Sequence, residues 1–455
     1  MTAPQGSVHP GTARLWALGA AGATLGLCLV GFDFLYLSVP EGWTPAYGFA
    51  RGIAAAFGSK LPVPRLDVSP TVFRGLALGG LAGMWAAFFV AIRLAADLCA
   101  EATSRLRAQR IVAVGAGVIA LALILSPPTL SKDLYHYAVF GKMLVSKGLN
   151  PYVTPINALT GDPLWALANW RDLPTHYGPV FTGLSAVAVL LGGGGVVGTA
   201  VAFKALAAAF GALTAWAVFK LAEREGRSGL VALVLVAWNP LILLETAGSG
   251  HNETVMMGLA LWGILVARRG RPLLGFAIAV LSVHVKWVTA ALVALLIVEQ
   301  IRDRDDLGSR ARELAKLVGI AVLATVALYA PFWADSPTLG STGQLITGLQ
   351  SSRSGRSGAP VRVWNLLAFA VLAILAAAVT WRGGRRVVLE MAAIVILAFV
   401  ILVFPWLYPW YLVPALVLLA VGPPSLVNRA YLVAATVLAV VLMLRWATLI
   451  PGHTS

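Results

Sequence analysis

The chain has 455 residues, of which 59% are hydrophobic and only 12% charged, and its formal net charge is +15. A soluble domain carries roughly 25% charged residues, so a water-soluble fold is excluded. The Lys and Arg excess sits in short loops, where it orients a membrane protein rather than marking a nucleic-acid partner.

Apolar runs of about 18 or more residues recur along the whole length, the signature of membrane-crossing helices. A transmembrane β-barrel would instead alternate over segments of about 10 residues. The fold class expected is therefore an all-α polytopic membrane protein, a single transmembrane domain over 1–455. Spans are expected at 15–38, 73–97, 111–130, 198–220, 229–246, 255–268, 273–286, 288–301, 315–333, 362–381, 387–404, 409–421 and 430–447, thirteen in all. The first follows Arg14 and is long for a signal-peptide core, so it reads as an uncleaved span. Cys28 and Cys99 fall in separate apolar segments and suggest neither a disulfide nor a metal cluster.

Loop charge sets direction. Arg105, Arg107 and Arg110, then Arg268, Arg269 and Arg271, then Arg382, Arg385 and Arg386 mark three cytoplasmic loops. This threading requires the apolar stretch 180–198 to lie in the outer interface, broken at Gly192–Gly195, so that 131–197 forms an external loop with juxtamembrane helices. It also divides 273–301 into two short helices with a tip near Lys286, a break tolerated where helices line a cavity. Segments 131–179, 248–253, 284–287 and 404–411, and the loop 334–361, then reach one outer face.

The candidate chemistry lies on that face. Ile111 to Leu130 is almost wholly apolar, and Asp133 follows where a polar stretch rich in Asp, Tyr, Trp, His, Asn and Pro begins. A carboxylate held at the water–lipid boundary can take a proton from a hydroxyl, with desolvation raising its proton affinity and Lys132 opposing that. It could equally be a solvated cap of the helix that follows. Gly248-Ser249-Gly250-His251-Asn252-Glu253 opens a hydrophobic span. Glu253 there is either functional or a complement to the helix dipole, and His251 can donate a proton, accept a hydrogen bond or bind a metal. Lys286 in His284-Val285-Lys286-Trp287 either meets an anion such as a lipid phosphate or snorkels to the interface. Arg353 and Arg356, flanked by Ser and Gly, either grip phosphate or form a solvated basic loop. Trp165, Trp170, Tyr177, Trp406, Tyr408, Trp410 and Tyr411 gather at the outer ends, as an interfacial belt and as faces for a sugar. Asn150-Pro151-Tyr152 and His176-Tyr177-Gly178-Pro179 read as defined turns. There is no phosphate-binding glycine loop, serine nucleophile elbow or paired-His zinc motif.

The order Asp133, Gly148-Leu149-Asn150-Pro151-Tyr152, Tyr177-Gly178-Pro179, Asn239-Pro240-Leu241, Gly250-His251-Asn252-Glu253, Lys286 and Trp410-Tyr411 resembles the polyprenyl-phosphate-mannose-dependent mannosyltransferases of actinobacteria, within the C-type glycosyltransferase superfamily (GT-C). The resemblance runs from about residue 111 to 421. It implies a GT-C-like helical bundle and a transferase at the outer face of the plasma membrane. The donor would be a polyprenyl-phosphate sugar and the acceptor a lipid-linked glycan of lipomannan type. Asp133 would be the catalytic base in an inverting displacement. The superfamily's second acidic position maps onto His251–Glu253. Acceptor and sugar contacts would come from Tyr135, His136, Tyr177, His251, Asn252, Glu253, Trp410 and Tyr411, and donor-phosphate contacts from Lys286, Arg353 and Arg356. No cofactor or metal is implied, since the chain lacks Asp-x-Asp at the first position. An arabinosyl- or glucosyltransferase of the same architecture is the nearby alternative, since the sequence does not fix the sugar. A lipid-linked sugar flippase is a competing class, but it predicts charges deep in several spans and an inverted repeat.

Overall fold

The computed structural model describes residues 10–38, 68–128, 131–333, 363–404, 407–423 and 425–448. In chain order the helices are α1 (Pro10–Ser38), α2 (Pro70–Asp97), α3 (Ala102–Leu125), α4 (Asp133–Lys147), α5 (Pro163–Leu167), α6 (Pro179–Leu191), α7 (Val196–Arg224), α8 (Gly229–Ala237), α9 (Pro240–Leu243), α10 (Glu253–Ala267), α11 (Pro272–Val283), α12 (Ala290–Arg302), α13 (Leu307–Tyr329), α14 (Val363–Gly383), α15 (Val388–Leu402), α16 (Val413–Val421) and α17 (Leu426–Thr448). No strand occurs among the described residues.

Local sequence explains the boundaries. Ser69 caps α2 by accepting from Val72 N–H, with Pro70 in the first turn, where a missing donor is harmless. Asp306 and Ser309 form a reciprocal capping box at α13. Gly148, at φ 60°, ends α4 in the left-handed conformation and lets Leu149 N–H reach back to Met143 O.

The chain is a polytopic helical membrane protein. Among the described residues, seven helices are long and apolar enough to cross a membrane, or eight if α8 and α9, with the wide turn that follows, count as one span bent by 50°. The bend falls at Trp238-Asn239-Pro240. Asn239 caps the new turn through Leu241 and Ile242 N–H, and Trp238 is pinned by its indole N–H to Val112 O. Gly22 and Gly115 leave the room that the Trp238 ring fills. Large apolar side chains such as Val118, Leu121, Leu323, Val326 and Ile374 stand exposed on these helices, an apolar surface that water would not tolerate and lipid does.

The other five expected spans are short helices: α10, α11, α12, α15 and α16. At 1.5 Å per residue, 15 residues reach about 22 Å, less than the roughly 30 Å of hydrocarbon. All five have one end at a shared basic edge. There Arg268 pairs with Glu299, Arg224 donates to Arg268 O, Arg302 to Trp381 O and Arg382 O, and Arg227 to Gly422 O. Their other ends are the N-terminus of α10, the α11–α12 tip, the C-terminus of α15 and the turn before α16, and here the polar segments meet. The split of 273–301 falls as expected: α11 ends at Val283, Lys286 is extended, and α12 begins at Ala290. Likewise 180–198 is broken, with α6 ending at Leu191 and Gly193 and Gly194 turning the chain at φ 67° and 70°.

Candidate active site

Asp133 is the first residue of α4. Its N–H donates to Ser131 Oγ at 3.1 Å, and its side chain is 22% exposed. Helix α4 packs on α6. The segment before α6 is clamped to the α11–α12 tip, with Gly178 N–H donating to Val285 O and Val180 N–H to His284 O. A side chain at Gly178 would run into the His284 carbonyl, so only glycine permits this approach. The Asn150-Pro151-Tyr152 turn braces the same segment through Tyr152 Oη, which donates to Tyr177 O at 2.9 Å. Thus Asp133, Tyr177 and Lys286 are fixed relative to one another by backbone contacts.

The second carboxylate arrives from the opposite side. The bent span ends in a π-turn, Leu244–Gly248. The chain then reverses at Gly250 (φ 71°), where a Cβ would strike Leu134 beside Asp133. This reversal carries His251 into the centre. Its Nδ1 lies 4.0 Å from Asp133 Oδ2, 3.8 Å from Glu253 Oε2 and 3.5 Å from Tyr137 Oη. Its Nε2 lies 3.5 Å from Glu245 Oε2. The imidazole stacks on Trp410 at 4.4 Å, and Trp410 stacks on Tyr408 at 4.5 Å. Lys286 Nζ donates to Glu253 Oε1 at 2.6 Å and sits 4.8 Å above the Tyr411 ring.

The electrostatics follow. Burial, aided by Glu253 and opposed by Lys286 and by the bond from Ser131, pushes the Asp133 carboxyl up to about 6. Burial, with Lys286 adding to it, holds His251 well below the ordinary imidazole range, so its ring is neutral at pH 7. His136 is pushed down to about 4 by burial, against the opposing bond from Nδ1 to Asn169 O. Glu245 Oε2, His251 Nε2, Glu253 Oε2 and both polar atoms of the Asn252 amide are buried without a hydrogen-bond partner. Buried polar groups are ordinarily satisfied, so this concentration of unpartnered atoms singles the place out.

Of the residues singled out in the sequence, Asp133, Tyr177, His251, Asn252, Glu253, Lys286, Trp410 and Tyr411 come together here. Tyr135 is fully buried in the apolar core, and His136 lies to one side, its ring 5.9 Å from that of His176. Trp165 is engaged by Arg171 over its face and by Asn157. Arg353, Arg356 and Trp406 lie outside the described residues. Lys286 meets a protein carboxylate, Glu253, in this structure, so any ligand anion would share it. Sequence reasoning missed Glu245 and Tyr137. A Glu directly after Leu241-Ile242-Leu243-Leu244 was signal enough for the first; nothing singled out Tyr137 among the aromatics of its helix.

The arrangement offers a proton acceptor with a raised proton affinity, a neutral imidazole, an ammonium group and a wall of stacked rings. The family described as alpha-(1->6)-mannopyranosyltransferase, N-terminal domain, matches residues 42–302. Alpha-(1->6)-mannopyranosyltransferase A of Mycobacterium tuberculosis is 29% identical over 334 residues, 64% of this chain and 62% of that protein. Alpha-(1->6)-mannopyranosyltransferase A of Corynebacterium glutamicum is 32% identical over 171 residues, 37% of this chain and 34% of that protein. Alpha-(1->6)-mannopyranosyltransferase B of the same organism is 29% identical over 153 residues, 32% of this chain and 25% of that protein. The matched part is thus under two thirds of the length of each relative. No solved structure matches the chain. Since the family match takes in more than half of the 455 residues, from ahead of Asp133 to beyond Lys286, the chain belongs to the alpha-(1->6)-mannopyranosyltransferase family.

Proposed function

We propose that this protein is an inverting mannosyltransferase. It moves mannose from a polyprenyl-phosphate donor to a hydroxyl of a lipid-linked or cell-wall glycan of lipomannan type, at the extracytoplasmic face of the plasma membrane. Asp133 takes the proton of the acceptor hydroxyl as its oxygen attacks the anomeric carbon. The new C–O bond forms while the bond to the prenyl phosphate breaks, and the phosphate leaves with the electron pair. An α linkage made by one displacement requires a β-configured donor. Lys286 faces the negative charge that develops on the departing phosphate, where a fixed cation lowers the barrier. Tyr408, Trp410 and Tyr411 supply faces for the sugar.

The observation that carries this reading is Asp133 within 4.0 Å of His251, which in turn faces Glu253 and its partner Lys286. The test is transfer of labelled mannose in membranes expressing the protein, supplied with polyprenyl-phosphate mannose or with a nucleotide-linked mannose under conditions that block their interconversion. Transfer is expected from the lipid donor alone, and a cysteine placed at exposed Ser146 is expected to react with an impermeant thiol reagent in intact cells. Transfer from the nucleotide donor, or a Ser146→Cys thiol accessible only from the cytoplasm, would overturn the reading.

A pH dependence follows. The base must be ionised to accept a proton, and its proton affinity is raised to about 6, so kcat/KM rises with pH through that value and levels off above it. Lys286 draws the carboxyl down; Lys286→Met removes that pull, and the midpoint moves upward. A midpoint that stays put in the variant counts against Asp133 as the titrating group.

A further inference from the structure

Glu245 has no part in the mechanism above, yet it is 4% exposed and its carboxyl group faces His251. Its place is set by the backbone. The π-turn brings Ser249 N–H to Leu244 O at 2.7 Å, and Gly250 then folds the chain so that His251 N–H reaches Glu245 O at 2.9 Å. One residue therefore holds the other through the main chain, and their side chains face each other. Wide turns of this kind are rare and concentrate at functional sites.

The imidazole is constrained on three sides. Trp410 fixes the plane of the ring. Nδ1 faces two carboxylates, Asp133 at 4.0 Å and Glu253 at 3.8 Å, and the Tyr137 hydroxyl at 3.5 Å. Nε2 faces Glu245. A neutral imidazole carries one N–H, and which nitrogen holds it is set by the partners around it. Two carboxylates on one side favour Nδ1–H there. Nε2 is then a lone pair, and a group facing it must donate.

Resting on the transferase reading above, we propose that Glu245, as its neutral carboxylic acid, is a positioning residue that donates a hydrogen bond to His251 Nε2, fixing the tautomer in which Nδ1–H points at Asp133 and Glu253. The two atoms stand 3.5 Å apart and are not hydrogen-bonded in this structure; the contact closes to bonding distance when ligand fills the site, as such contacts do between free and occupied enzymes. Through it Glu245 supports the ionised form of Asp133 without touching substrate. The groups facing this imidazole are Asp133 and Tyr137 from α4, Glu253 at the start of α10, with its partner Lys286 from the α11–α12 tip, and Trp410 ahead of α16.

The test uses Glu245→Gln and Glu245→Ala. A glutamine amide donates as the acid form of Glu245 does; alanine cannot. Labelled-histidine 15N spectra of the detergent-solubilised full chain, with His251→Asn to assign the signal, are expected to place the proton on Nδ1 in the wild type and in Glu245→Gln. Glu245→Gln is expected to keep kcat within about 3-fold, whereas Glu245→Ala loses about 10- to 100-fold in kcat, as removal of a residue that orients a catalytic group does, with KM little changed and the acidic limb of the pH profile moved upward. A proton on Nε2 in the wild type, or Glu245→Gln as slow as Glu245→Ala, overturns the assignment. If the wild type transferred no mannose at all, the transferase reading would fail, and the nitrogen signals would still decide the tautomer.

Discussion

Asp133→Asn is expected to lower mannosyl transfer by about 100- to 10,000-fold, the range ascribed to a positioned general base, while the protein folds as before. Asparagine fills the same volume, and the N–H bond to Ser131 Oγ is made by the backbone. What it lacks is a site for the acceptor's proton. The stability side has a definite sign. The folded-state proton affinity of Asp133 is raised, chiefly by burial, so the stability associated with this group is full at low pH and is lost as pH rises through about 6. At pH 7 the native carboxylate is therefore a cost to folding, set beside Glu253 in a poorly hydrated position. A neutral asparagine removes that cost, and thermal unfolding of the variant in detergent is expected no lower than that of the wild type. Donor binding, through groups other than Asp133, is expected to persist. An active Asp133→Asn protein would remove the base from the mechanism. A variant that is inactive because it does not fold would contradict the account of its environment.

Much of this site was legible in the sequence because a membrane makes charge expensive. Asp133, Glu253 and Lys286 stand out at once when the surrounding residues are Leu, Val and Ala, and loop arginines sort the segments onto two faces. That logic also divided 273–301 at Lys286 and kept 180–198 from being counted as a span, and the helices break at both places. Contacts that depend on main-chain geometry were not legible. Gly178 against His284 and Gly250 against Leu134 each decide where a catalytic candidate points, yet a glycine in a loop carries no signal of what it approaches. The π-turn is of the same kind: Glu245 reads as a charge in an apolar run, and only the extra residue in the turn swings it under His251. The number of full crossings was also beyond pattern alone. Five apolar segments have the composition of spans and fold as helices too short to cross unaided, since hydropathy measures how apolar a segment is and leaves open how far along it the helix continues.

Lys204→Met is expected to have the largest effect on folding. Lys204 lies within the span α7 and is fully buried. Its ammonium donates to Ser126 O, at the end of α3, and the Ser126 hydroxyl donates to Asp33 of α1. Three separate helices are thus joined through one buried cation and one buried carboxylate in an apolar surround. Removing the cation takes a positive charge away from the neighbourhood of Asp33 and leaves the Ser126 carbonyl without this donor, and losing a buried hydrogen bond from a charged group costs about 1.5–3 kcal/mol. The consequence reaches the active site by two routes. Ser126 begins the stretch that leads to Asp133, and the Lys204 stem lies close under Gly250, where the chain turns toward His251. The single variant should therefore show a lowered melting temperature and a poor yield of folded protein, with reduced transfer per folded molecule. Lys204→Met combined with Asp33→Asn removes both charges and keeps an acceptor for the Ser126 hydroxyl. Because coupled sites are non-additive, the double variant should be more stable than Lys204→Met alone. If instead the two substitutions simply add, the lysine is held by something other than the charge on α1, and its importance lies in packing beneath Gly250.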